Sequence, residues 1–134
     1  MTRFVVDAPV AIRLASEGAR IPARHSLVAP TLLRSQVLAI MYAAVREGRS
    51  DPRSARAVLD GVRGLRIRLL GDRVLQATAW DIATALDWPD TYKAEYIALV
   101  RLQADALVTF DGELAEAAST QVRVADLSEL LAGS

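Results

Sequence analysis

The chain has 134 residues, 52% of them apolar, with a mean hydropathy of +0.23, which suits one packed domain and is too short for two. It contains no cysteine, which excludes disulfide staples and thiolate metal sites, so any metal must take oxygen ligands. Sixteen basic and sixteen acidic residues cancel, which removes net charge as an argument for nucleic acid.

The elements read in chain order as follows. Thr2, Arg3, Phe4, Val5 and Val6 form a β-branched and aromatic run ending in Asp7, and Ala8 onward reads as helix with Pro9 in its first turn, where proline is tolerated. A Gly and Pro boundary over 18–22 precedes a weaker strand at 26–29. Pro30 and Thr31 then open a long apolar helix over 32–46, stopped by Gly48. Ser50 or Asp51 with Pro52 opens a third helix, whose apolar positions Ala55, Val58, Leu59 and Val62 keep the helical period. Leu65, Ile67 and Leu69 alternate with Arg66 and Arg68, which predicts a strand over 65–69 with one buried and one basic face.

Gly71 and Asp72 cap a helix carrying Val74, Leu75, Thr78, Ala79, Ile82, Ala83 and Leu86 on its apolar side. Residues 88–91 break it, and a further helix runs over 92–103. The apolar run 106–110 predicts a strand covered on both faces, ended by Asp111 and Gly112. A short helix over 113–118, a strand near 122–124 and a helix from Leu127 complete the chain. Strands alternating with helices imply right-handed crossovers and a single three-layer α/β/α domain over 1–134, with a mostly parallel sheet of about five short strands. Apolar stretches are interrupted before the ~18 residues of a membrane span, and the N-terminus has no signal-peptide pattern, so the expected location is cytoplasmic.

In an open parallel sheet, ligands collect beyond the carboxyl ends of the strands. Asp7 and Asp111 both occupy such positions, and if their strands are neighbours the two carboxylates converge. Converging carboxylates repel unless a cation or proton lies between them, and hard ions such as Mg²⁺ favour oxygen sites of this kind. Either Asp taken alone reads first as a helix N-cap. The pair together is a more particular arrangement.

Four segments carry a resemblance that extends over essentially the whole chain. They are Val5-Val6-Asp7-Ala8 with Val10, Ala29-Pro30 with Leu32, Leu33 and Val37, the run from Thr91 to Leu99, and Leu107 to Asp111 with Leu114-Ala115. In this order they resemble the PIN-domain family of VapC-like toxin ribonucleases. The resemblance implies an acidic cluster that binds Mg²⁺ or Mn²⁺, with Asp7 and Asp111 as ligands, and a metal-activated water that attacks an RNA phosphodiester. It also implies a homodimer and a small VapB-like antitoxin whose C-terminal segment fills the groove.

Two matching positions depart from the family pattern. Gln36 stands where the family has Glu, keeping an oxygen but losing charge and general-base capacity. Lys93 stands where the family has Asp, and its ammonium group is placed to neutralise Asp7 and Asp111 in place of a divalent ion. Asp90, one helical turn before Lys93, reads first as a loop acid or a cap near Thr91; as a substitute ligand it is better placed than Glu95, which points about 200° around the helix. Two readings follow: a metal-dependent ribonuclease with weak Mn²⁺ affinity, or a catalytically silent protein that binds RNA or a protein partner, with Lys93 as internal counter-ion.

Elsewhere, eight arginines against four acids between Arg46 and Arg73 make Arg66 and Arg68 candidates for RNA phosphate contacts, set against solvated faces of a helix and a strand. His25 has no spaced partner, and Trp80 and Trp88 read as core or partner-facing anchors. The second helix carries so little polar surface that it is expected to be buried on most sides, partly in an interface.

Overall fold

The computed structural model describes residues 1–132. Its elements are β1 (Thr2–Val6), α1 (Ala8–Ser16), β2 (His25–Pro30), α2 (Leu33–Arg46), α3 (Pro52–Gly64), β3 (Arg68–Leu70), α4 (Arg73–Ala85), α5 (Tyr92–Gln103), β4 (Ala106–Val108), α6 (Gly112–Ser119), β5 (Val124–Ala125) and α7 (Leu127–Leu131). The sheet order is β3-β2-β1-β4-β5, and every pairing is parallel. This is a three-layer α/β/α arrangement, as expected. The sheet is wholly rather than mostly parallel because every return is made by helix.

The two apolar faces of the strands build two cores. Val5, Val28 and Leu107 belong to one, with Ile82 and Ala83 of α4 and Ile97 and Leu99 of α5. Phe4, Val6, Leu27 and Val108 belong to the other, with Val10 and Leu14 of α1 and Leu130 of α7. Side chains alternate across a strand, so the continuous apolar runs of β1 and β4 are what burial on both faces demands.

Three expectations need correction. The strand foreseen over 65–69 is only Arg68–Leu70, because α3 runs on to Gly64 and its carboxyl end consumes the next residues. The Leu65 N–H donates to the Gly61 and Val62 carbonyls, the Arg66 N–H donates to that of Arg63, and Arg66 turns left-handed at φ 56°. Arg66 and Arg68 therefore do not share a strand. The strand foreseen over 106–110 stops at Val108, and Phe110 is exposed, with the Arg13 guanidinium 5.8 Å above its ring. Helix α2 is not buried on most sides. Leu33, Val37, Met41 and Ala44 face inward while Leu38, Ile40 and Tyr42 face outward.

Candidate functional site

The sheet order places β1 directly beside β4, with Val6 in register with Val108, and the chain runs outward to opposite edges from this pair. That reversal opens a crevice at the carboxyl ends of the two strands. Asp7 leaves β1 and Asp111 follows β4 by three residues, so both reach the crevice. A cleft of about 310 Å³ is lined there by Asp7, Gln36, Lys93, Tyr96 and Asp111, with Pro9, Ile40 and Leu114 among its apolar walls.

Asp7 is 6% exposed and caps α1, accepting the Val10 N–H at 3.2 Å. Its second oxygen accepts the Thr109 hydroxyl, and the same Thr109 oxygen accepts the Asp111 N–H at 3.0 Å. One threonine thus ties the two junctions together. Burial pushes the Asp7 carboxyl above the usual aspartate range; the Thr109 and Val10 hydrogen bonds oppose this, and the nearby Asp111 charge reinforces it.

Asp111 caps α6 through the Leu114 N–H at 3.1 Å and lies 2.9 Å from Lys93 Nζ. Lys93 also donates to Glu113 at 2.8 Å. Partial burial raises Asp111, but the Lys93 hydrogen bond and charge and the Leu114 N–H outweigh it, and its carboxyl is held below the usual range. Lys93 is pushed up, first by the Glu113 hydrogen bond and then by Asp111. A cation in the first turn of α5 opposes the helix dipole, and the two carboxylates compensate for it.

Gln36 projects from α2 and accepts the Tyr96 hydroxyl at 2.6 Å, while Tyr96 is 2% exposed. Burial, with the Asp7 and Glu95 charges behind it, keeps this phenol protonated well past the usual range. Gln36 therefore presents to the cleft an amide already engaged through its oxygen.

Asp7, Gln36, Lys93 and Asp111 are brought together. Asp90 is not. It is exposed, accepts the Tyr92 N–H at 3.2 Å, and lines an adjoining recess with Trp88, Lys93 and Glu113. Lys93 was expected to neutralise both aspartates, yet its partners are Asp111 and Glu113, and Asp7 makes no ion pair among the described residues. Asp7 is the deeper carboxylate and already has hydroxyl and amide donors, whereas Glu113 reaches the ammonium from the first turn of α6. Arg66 and Arg68 do not line the cleft.

The architecture is shared with solved structures. PAE2754 from Pyrobaculum aerophilum superposes with a TM-score of 0.76, over 97% of this chain and 93% of that one, at 22% sequence identity. That likeness shows the fold. No family model matches the chain, and no curated protein matches it by sequence.

The donor set does not suit Mg²⁺ or Mn²⁺. Among the described residues no three His, Asp or Glu side chains cluster as cation ligands. Of the two cleft aspartates, one is bound to an ammonium and the other to a hydroxyl and an amide. A divalent ion entering here would have to displace Lys93 against its own repulsion. The sequence alone assigns no role to Thr109, Tyr96 or Glu113. Tyr96 follows Lys93 by three residues and so shares its helix face, the one sequence signal that reveals it; the Thr109 and Glu113 contacts are tertiary.

No described helix is long and apolar enough to cross a membrane.

Proposed function

We infer that the chain is a PIN-like, VapC-related protein that does not run metal-dependent hydrolysis, and that binds RNA or a protein partner without cutting. The observation that carries this reading is the Lys93 ammonium, 2.9 Å from Asp111 and 2.8 Å from Glu113. It supplies in covalent form the positive charge that a nuclease of this type takes from Mg²⁺ or Mn²⁺. Gln36, with its oxygen committed to Tyr96, leaves no second-helix carboxylate to act as base. A cytoplasmic protein that forms a homodimer and meets a VapB-like antitoxin fits the same reading. The outward side chains Leu38 and Tyr42 of α2 and Trp80 of α4 offer apolar surface for such contacts.

A second reading has one observation in its favour. Asp7 faces the cleft without a cation, beside Asp111, and this remnant of a ligand pair supports a weak Mn²⁺-dependent ribonuclease. An RNA cleavage assay with Mn²⁺ separates the two. The silent reading expects no cleavage by the native chain and cleavage by Gln36→Glu combined with Lys93→Asp. Native cleavage that disappears in Asp7→Asn would overturn it.

A further inference from the structure

A second feature lies at the opposite limit of the sheet from β5. Strand β3 is an edge, paired only with β2 through Val28 with Arg68, Ala29 with Leu69 and Pro30 with Leu70. An edge strand leaves one row of backbone donors and acceptors free to take another strand. Beside it, α2, α3 and β3 fail to close, leaving a groove of about 510 Å³ lined by Leu33, Val62, Ile67 and Leu69, with Arg34 and Arg63 at its margin. Ile67 and Leu69 are only half-buried there, so their outer sides lack packing partners.

The alternation that runs from Ile67 into β3 sorts the chemistry of this edge. Ile67 and Leu69 turn toward the groove, and Arg68, between them, turns to the other face and is exposed. Arg66, in the left-handed turn just before, is exposed as well. Among the described residues Arg34, Arg66 and Arg68 make no ion pair, and only Arg63 is matched, by Asp60. Apolar surface on one side of the open edge and unpaired cations on both call for a specific complement.

We propose that this edge and groove take an extended segment of a partner protein in which apolar and acidic residues alternate, added to β3 as a sixth strand. Its apolar side chains fill the groove against Leu33, Val62, Ile67 and Leu69. Its carboxylates meet Arg68 on the other face. Main-chain hydrogen bonds supply the affinity, and the alternation supplies the selectivity. A nucleic acid strand would satisfy the arginines but leave the groove unfilled, which favours a protein segment over RNA at Arg66 and Arg68. This site is separate from the cleft and stands however the cleavage assay falls.

The test is a titration of the ¹⁵N-labelled full chain, followed by amide resonances, with a short synthetic peptide alternating valine and glutamate. A matched valine and lysine peptide and an oligouridylate are titrated in parallel. The glutamate peptide is expected to shift the amides of Ile67, Arg68 and Leu69, and Arg66→Glu combined with Arg68→Glu is expected to weaken it by about tenfold. Both arginines are exposed, so the double variant keeps the dispersion of the native spectrum. Absence of these shifts, equal binding of the lysine peptide, or shifts at the same amides from oligouridylate alone would each overturn the proposal.

Discussion

The β1–α1 and β4–α6 junctions are built alike. Each ends a buried strand, each presents an aspartate that caps the following helix through the N–H three residues on, and both aspartates line one cleft. Their electrostatics nevertheless run in opposite directions. Asp7, buried among neutral donors, is pushed toward the protonated form, while Asp111, facing Lys93, is held ionised. Local capping chemistry is therefore the same at both sites, and the tertiary neighbours decide the charge. The neighbour that differs is Lys93, brought to Asp111 by the packing of α5 beside β4.

The largest effect on this comparison is expected from Thr109→Val, which removes the hydroxyl shared by the two junctions. Asp7 loses a donor and the Asp111 N–H loses its acceptor in a partly buried setting, a loss of about 1–3 kcal/mol in a urea denaturation. The same substitution moves Asp7 further up, since a contact that lowers it is gone. A variant as stable as the parent would break the claim that Thr109 couples the junctions.

A smaller effect is expected from Lys93→Met. The Lys93 and Asp111 side chains are 40% and 35% exposed, so solvent screens the pair and the stability loss stays under about 1 kcal/mol. Its sharper signature is at Asp111, whose carboxyl titrates higher in a ¹³C NMR experiment once the ammonium is removed. An unmoved Asp111 would show that the ion pair does not form in solution.

The smallest effects concern pH, and here the two junctions must differ in sign. The folded Asp7 value lies above the ordinary 3.8, so its contribution to stability is complete below 3.8 and is lost as pH rises through the folded value. The folded Asp111 value lies below 3.8, so its contribution is present above 3.8 and is lost as pH falls through the folded value. Asp7→Asn should accordingly gain stability relative to the parent as pH rises from 3.8 toward neutral. Asp111→Asn should lose relative stability over that lower window. Denaturant midpoints measured from pH 3 to pH 7 check both, and parallel curves would contradict the contrast.

Much of this was legible in the residues. The apolar run of β1, the start of β4, the Asp and Pro signals at Asp7-Ala8-Pro9 and Asp51-Pro52, and the limits of α5 are local features, and the structure follows them. The meeting of Asp7 and Asp111 in one cleft was anticipated because strand ends in a parallel sheet point one way, whereas Gln36 and Lys93 were expected beside them only through the family resemblance. What the residues concealed depended on competition or on distance. Leu65 and Arg66 carry a strand-like alternation but are taken by the end of α3. The choice of Glu113 over Asp7 as the second partner of Lys93 depends on how deeply β1 is buried, which no spacing reveals. The groove beside β3 is likewise a failure of three elements to close, written in none of them separately.

If the ammonium of Lys93 stands where a metal ion would, it must compete with Mn²⁺ for Asp111. Calorimetric titration of Mn²⁺ into the native chain and into Lys93→Asp tests this most directly. Weak binding by the native chain, tightened about tenfold or more in the variant, equivalent to ~1.4 kcal/mol or above, is the expected result. Equal affinities in the two proteins would contradict it.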